Sequence, residues 1–263
     1  MCIHLQYHEE IYVLKYSFTQ RLRQAIAALP GAGAIYRGLR LIFIPTYRED
    51  GLVTINNADF LRDAGFVRAY EAALRQQSDT WIRWRSHVVQ WAAHHAIRLE
   101  GDFVECGVNR AFLSMSAMTA VDFRQTTGRR FYLFDTYCGL VPEQVSTDDK
   151  AAFRNVYSDT YDFVKETFRD WSNVTVVRGI VPESLSTVTI GQVAYLSIDM
   201  NCVKPEIDAM EYFWPRMVPG GVIILDDYGF PGHEAQKLAA DGFAATVGVK
   251  VLSLPTGQGL IFK

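Results

Sequence analysis

Five short apolar runs recur between residues 102 and 227, each separated from the next by a stretch of helical character, and this rhythm constrains the fold more than any other feature. They are DFVEC (102–106), FYLFD (131–135), VTVVR (174–178), VAYLSID (193–199) and GVIILDD (221–227). Each is apolar at consecutive rather than alternate positions, as expected of strands covered on both faces. Alternation with helices is the pattern of βαβ units on a mostly parallel sheet, so the fold class is α/β. Two further runs, VKVLSL (249–254) and GLIFK (259–263), flank Pro255-Thr256-Gly257 and predict a terminal hairpin that adds an antiparallel strand. Pro219-Gly220-Gly221 reads as the tight turn into the fifth run.

Upstream of the first run, DTWIRWRSHVVQWAAHHAIR (79–98) spaces Trp84, Val88, Trp91 and His95 at helical intervals, the stripe of an amphipathic helix. Asp79 or Ser78 is its expected cap. Core packing is the default role of its tryptophans, and an aromatic wall of Trp81, Trp84 and Trp91 for a flat ligand is the alternative. Residues 1–78 alternate short helical patterns with breakers such as Pro30-Gly31-Ala32-Gly33 and Pro45. They are read as an N-terminal helical extension ahead of an α/β domain over 79–263. Within the extension, Arg21, Arg23, Arg37 and Arg40 read as a solvated basic face.

With 26 Lys and Arg against 29 Asp and Glu, the chain carries a formal charge of −3 and no global attraction for nucleic acid. The apolar run Leu41 to Pro45 falls far short of the roughly 20 residues that cross a bilayer, and Met1 to Glu10 lacks a secretory pattern. A cytoplasmic protein without stable membrane insertion is expected. Cys2, Cys106, Cys138 and Cys202 are too sparse and unpatterned for a disulfide framework or a zinc site.

Acidic residues close four of the runs: Glu105, Asp135, Asp199 and the pair Asp226-Asp227. In an open parallel sheet, ligands bind outside the carboxyl ends of the strands, so these carboxylates converge on one rim. Any one of them could serve as a helix cap; four together point to a site. Asp135 lies about one βαβ period after Glu105, where an acidic group can hold ribose hydroxyls. The intervening turn, ECGVNRAF, has a single glycine, Gly107, and lacks the GxGxxG spacing that admits a pyrophosphate. That disfavours NAD and FAD. A nucleoside cofactor without phosphates needs only one close backbone approach and carboxylates for its polar groups, which is the chemistry of S-adenosylmethionine.

FVECGVNRAFLS, FYLFDTYCGL, VVRGIVPESL, YLSIDMN and MVPGGVIILDDYG, in that order, resemble the successive motifs of class I S-adenosylmethionine-dependent methyltransferases. The closest likeness is to the macrocin O-methyltransferase-like group, which methylates sugar hydroxyls of macrolides and related natural products. The resemblance runs from about Thr80 to the C-terminus and implies a Rossmann-like, seven-stranded methyltransferase sheet. It implies that Glu105, Gly107 and Asn109 line the methionine and ribose end of the cofactor, with Asp135 on the ribose hydroxyls. Thr136, Tyr137 and Gly139 would border the adenosine, Gly179 would follow the third strand, and Thr80 would reach in from the preceding helix. The family's magnesium site falls on Asp199, Asp226 and Asp227, with Asp199 also bordering the cofactor. Three carboxylates make an oxygen-only site suited to a hard cation, where zinc would want His or Cys. Without a cation such a cluster repels itself. The alternative reading has Asp226 capping a helix and Asp227 solvated.

The expected function is magnesium-dependent O-methylation of a hydroxyl on a sugar or polyol-bearing small molecule. A catechol or phenolic acceptor, which would use the same metal site, and a non-catalytic S-adenosylmethionine-binding protein stay open, as does assembly into a homo-oligomer. The chain departs from the family at Asp199-Met200-Asn201, where related enzymes carry a second Asp in place of Asn201. Asn cannot usefully take a proton at neutral pH, which leaves His233 and Lys204 as the nearest candidates for a general base, or activation by the metal alone. Ala111-Phe112 replaces a glycine pair and predicts a narrower cofactor pocket. Residues from Val141 to Tyr161 and the N-terminal region are expected to shape the acceptor site.

Overall fold

The computed structural model describes residues 45–78, 80–145 and 158–263. It divides into two compact units, residues 1–59 and residues 60–263. The described part of the first unit is an antiparallel hairpin of β1 (Tyr47–Glu49) and β2 (Leu52–Thr54). Its turn residues Asp50 and Gly51 both have positive φ, as a two-residue turn between right-twisted strands requires. The Thr46 hydroxyl donates to the Thr54 carbonyl at 3.0 Å. The expected helical extension, with Arg21, Arg23, Arg37 and Arg40, falls over residues 1–44, outside the described residues. Residues 47–54 correct that expectation locally, being strand and turn rather than helix.

The second unit begins at Phe60, ahead of the boundary expected between 78 and 79, so it includes helix α1 (Ala64–Leu74). Asp63 caps α1 by accepting the Phe66 N–H at 2.8 Å. Helix α2 (Arg83–Ala96) starts later than expected, with Ile82 at its N-cap and no side-chain cap; Asp79 lies outside the described residues. Its buried face also differs from the aromatic stripe. Ser86, Val89, Gln90, Ala93 and Ala96 are buried, whereas Trp91 is 48% exposed. Small residues let α2 approach α3 (Phe112–Ala120) closely, so the Ser86 and Ser116 hydroxyls meet at 2.7 Å. Bulky rings fit only at the edges of such a contact.

The expected sheet is present. Strands β3 (Asp102–Cys106), β4 (Phe131–Asp135), β5 (Val174–Arg178), β6 (Val193–Ile198), β7 (Met217–Leu225), β8 (Leu252–Ser253) and β9 (Gly259–Phe262) lie in the order β5-β4-β3-β6-β7-β9-β8. The first five pair in parallel, and β9 pairs antiparallel with both β7 and β8. Strand β7 starts before the glycines rather than after them. Val193 pairs with Met217 and Tyr195 with Val222, so Pro219-Gly220-Gly221 forms a bulge inside the strand, not a turn into it.

Alternate side chains of each strand enter opposite cores. Phe103, Leu133, Tyr195 and Ile224 pack beneath α1, α2 and α3. Val104, Phe134, Leu196 and Ile223 pack on the other face with α5 (Val203–Phe213) and α6 (Glu234–Thr246). A further short helix, α4 (Tyr161–Thr167), precedes β5. Met115 and Met118 are buried core residues, as their surroundings suggested. The described cysteines carry free thiols. No helix among the described residues is long and apolar enough to cross a membrane.

Candidate active site

Strand order reverses between β3 and β6, and the carboxyl ends of the central strands are stitched together there. Gly107 N–H donates to Phe134 at 2.9 Å, Asp199 N–H to Cys106 at 2.8 Å and Asp226 N–H to Ile198 at 3.0 Å. A cavity of about 350 Å³ opens at this edge. Gly107 is essential to its floor. Its φ is +89°, and a Cβ there would stand 1.8 Å from the Asp199 carbonyl oxygen, so only glycine lets the two strand ends close.

On the β4 side of the cavity, Asp135 organises the turn after β3. Its Oδ2 accepts the N–H groups of Val108 (2.6 Å) and Asn109 (2.7 Å), and its Oδ1 accepts the Tyr137 N–H (2.6 Å). The Thr136 hydroxyl adds a fourth, weaker contact at 3.3 Å. Both oxygens of the carboxylate are thus engaged by the chain's own donors. Asn109 and Ala111 sit in the left-handed region at φ 49° and 63°, so the turn keeps a glycine-like path without the family's glycines. Phe112 reaches the cavity wall. The Thr160 hydroxyl donates to the Asn109 carbonyl at 2.8 Å, closing the turn from the far side.

Glu105 lies between the two sides. It is 2% exposed and accepts the Ser114 hydroxyl at 2.5 Å. Burial pushes its carboxyl up to about 8, with the Asp226 and Asp135 charges adding to the effect.

On the β6 and β7 side, one carboxylate oxygen from each of Asp199, Asp226 and Asp227 lies within 4.8 Å of the others. Desolvation, followed by the neighbouring Asp226 and Asp227 charges, pushes Asp199 well above the usual carboxylate range, against the pull of Arg85. Arg85, from the first turn of α2, binds the Asp226 carboxylate and lies 3.9 Å from Asp227 Oδ1. Its guanidinium stacks 4.8 Å from the centre of the Phe230 ring. The other Asp226 oxygen accepts the Gln258 amide at 2.9 Å. Asp226 is therefore buried and held by side chains, which replaces the reading of it as a helix cap.

Apart from Lys204 and the three tryptophans, thirteen of the fourteen site residues singled out from sequence border this one cavity. Thr80, Glu105, Gly107, Asn109 and Asp135 do so, with Thr136, Tyr137, Gly139 and Gly179 beside them and Asp199, Asn201, Asp226 and Asp227 opposite. The exception is His233, which stands outside the wall as the N-cap of α6, with Nδ1 2.8 Å from Gln236 Oε1 and 3.9 Å from Asp227 Oδ2. Lys204 points away into an ion pair with Asp208 at 2.7 Å, which raises its pKa further and removes it as a base. Trp81 is 55% exposed, and none of Trp81, Trp84 and Trp91 borders the cavity. Of the segment from Val141 to Tyr161, Val141, Gln144, Ser158 and Thr160 contribute to the wall, and residues 146–157 lie outside the described residues.

Sequence reasoning missed Arg85, Thr160 and Gln258. Arg85 carried a usable signal, since a cation on the cavity-facing turn of the helix before β3 is the natural counter-charge for a clustered rim. Gln258 carried none: only the hairpin's return along β7 brings it to Asp226.

The seven-stranded, mostly parallel sheet with an acidic cleft at its switch point is a Rossmann-like α/β fold. The family model described as macrocin-O-methyltransferase (TylF) matches residues 85–251, and the chain belongs to that family. A relative from Streptomyces olivaceus, 8-demethyl-8-(2,3-dimethoxy-alpha-L-rhamnosyl)-tetracenomycin-C 4'-O-methyltransferase, is 29% identical over 140 residues, covering 49% of this chain and 53% of that protein. The chain thus spans about half the length of this curated relative. Among solved structures, the O-methyltransferase NovP is similar with a TM-score of 0.61 and 18% identity, covering 79% of this chain and 99% of that one. The calicheamicin methyltransferase CalS11 is similar with a TM-score of 0.54 and 16% identity, covering 94% and 91%. Both likenesses concern the fold.

Proposed function

We propose that the chain is an S-adenosylmethionine-dependent O-methyltransferase acting on a hydroxyl of a sugar-bearing natural product, with magnesium as its metal. Membership of the macrocin-O-methyltransferase family supports the reaction class, and the rhamnosyl acceptor in the relative's name supports a sugar hydroxyl. The observation that carries the proposal is the convergence of the three carboxylates of Asp199, Asp226 and Asp227 on the wall of the same cavity as Gly107 and Asp135.

The residues fit both groups. The donor set of the cluster is all oxygen and anionic, as a hard divalent cation requires. The cofactor half offers an uncharged backbone turn over Asp135, suited to a nucleoside without phosphates. Thr80, Glu105, Gly107, Asn109 and Asp135 would hold the methionine and ribose end, with Thr136, Tyr137, Gly139 and Gly179 around the adenosine. Asp199, Asp226 and Asp227 would hold magnesium, which when bound supplies Lewis-acid polarisation of an acceptor hydroxyl.

The chain's own contribution is mainly positioning. Asp199 stands next to the floor glycine and so joins the two halves of the cavity. Asn201 Nδ2, 3.5 Å from Asp199 Oδ1, orients that carboxylate and takes no proton. His233 acts on Asp227 rather than on the acceptor, given its place outside the wall. A second reading draws on Arg85: its contact with Asp226 supports transfer in which a guanidinium, not a metal, neutralises the rim.

The test is methyl transfer from labelled S-adenosylmethionine to a panel of glycosylated aromatic compounds and simple vicinal diols or catechols, with magnesium or with a chelator. Transfer to a glycoside that stops on chelation is the expected result. Transfer unaffected by chelation would replace magnesium with Arg85, and transfer to catechols alone would replace the sugar acceptor.

A further inference from the structure

One buried carboxylate lies behind the rim rather than on it. Glu206, in the first turn of α5, is 8% exposed, and its Oε1 accepts the Met200 N–H at 3.2 Å and the Gln236 Nε2 at 3.1 Å. The Asn201 N–H also donates to this carboxylate. Successive amides turned onto one carboxyl group form a backbone nest, and the nest uses the left-handed conformation that Asn201 adopts at φ 55°. The loop that carries Asp199 and Asn201 is thus folded around Glu206. An apolar side chain at 206 would leave the Met200 amide without this acceptor.

The same carboxylate orders a second loop. Met200 N–H can only donate, so Glu206 Oε1 is an acceptor, and Gln236 presents its NH2 group there. Gln236 Oε1 is then left to accept from His233 Nδ1, 2.8 Å away. The His233 proton therefore sits on Nδ1, beside Asp227, and Nε2 of the neutral ring carries the lone pair.

We infer that Glu206 and Gln236 are positioning residues for methyl transfer, a buried bridge that ties the Asp199-Asn201 loop after β6 to His233 and Asp227 after β7. The kinetic consequence rests on the methyltransferase reading; the bridge itself does not.

Two measurements separate these. Nitrogen-15 NMR of histidine-labelled full-length protein, at a pH where the ring is neutral and with His233→Ala for assignment, is expected to show the Nδ1–H tautomer at His233. Gln236→Leu should release that preference. In the kinetic arm, Glu206→Ala is expected to lower kcat about tenfold or more, as a displaced positioning loop does. It should leave the affinity for S-adenosylhomocysteine within about twofold, because Glu206 holds Met200, Asn201 and Gln236, whereas the turn after β3 is held by Asp135. Glu206→Gln keeps an acceptor oxygen for Met200 and Gln236 and should return kcat to near the original value.

An Nε2–H tautomer in the unaltered protein overturns the bridge whatever the activity. An unchanged kcat in Glu206→Ala, or an equal loss in Glu206→Gln, overturns its kinetic role. If the alanine variant does not fold, Gln236→Leu carries the kinetic arm with the same expectation of reduced kcat and retained cofactor affinity. The expected tautomer in a protein that transfers methyl groups to no acceptor would sustain the bridge and overturn the methyltransferase reading.

Discussion

The two sides of the cleft hold their carboxylates in opposite ways. On the β4 side, Asp135 is surrounded by neutral donors, three backbone amides and a hydroxyl, all supplied by the turns it braces. On the β6 and β7 side, Asp199, Asp226 and Asp227 face one another across 4.8 Å or less, with the Arg85 guanidinium as the nearest described counter-charge. A carboxylate held by amides keeps its charge but is fixed in place by the chain's own donors. Three carboxylates sharing one cation are incomplete, and added positive charge stabilises them. The first side braces its carboxylate with neutral donors; the second sets three carboxylates around one guanidinium.

The sharpest way to break this contrast is to remove the cluster. Asp199→Ala and Asp226→Ala should each abolish magnesium dependence and lower methyl transfer on the order of a hundredfold or more. Activity retained in both variants, measured at saturating cofactor, would leave the cluster without a metal role. Arg85→Met probes the same side from the other direction. Removing one partner of a buried ion pair leaves Asp226 uncompensated and should cost about 3 kcal/mol in the absence of metal. Magnesium should then raise the melting temperature more in this variant than in the unaltered chain; an equal rise in both would show that guanidinium and metal do not compete for the cluster.

Asp135→Ala tests the braced side. The turn loses the acceptor for Val108, Asn109 and Tyr137, a cost of about 2 kcal/mol, and cofactor binding should weaken while magnesium binding stays as it was. A parallel loss of both affinities would join the two sides into one unit. An effect confined to pH dependence concerns Glu105, whose folded-state pKa is raised from 4.5 to about 8. Between those values the folded protein holds a proton that the unfolded chain has released, so stability is fully present below pH 4.5 and falls as pH rises toward 8. Melting curves of the cofactor-free protein should show this decline, and Glu105→Gln should flatten it.

The sheet was legible because its strands are apolar at consecutive positions, a pattern set by burial on both faces and independent of the acceptor. The acidic rim was legible for a related reason: Glu105, Asp135, Asp199 and Asp226 all end strands, and parallel pairing carries strand ends to one edge. How Asp135 is held was not legible. Two of its donors come from the turn with a left-handed path at Asn109 and Ala111 and two from Thr136 and Tyr137, and such turns leave no periodic mark in the sequence. Helix α2 misled in a different way. Its tryptophans suggested the buried face, yet close packing against α3 selects Ser86, Val89 and Ala93, and burial depends on the neighbouring helix as much as on side-chain hydropathy. The hairpin could be foreseen, but not that its return would bring Gln258 against Asp226.

The division of the cleft into a braced wall and a cation-seeking cluster is tested most directly by calorimetric titration with S-adenosylhomocysteine and, separately, with magnesium. The account predicts nucleoside binding with or without the metal, and a magnesium heat that disappears in Asp199→Ala while nucleoside binding persists. Absence of nucleoside binding in both conditions, or a magnesium heat unchanged by Asp199→Ala, would contradict it.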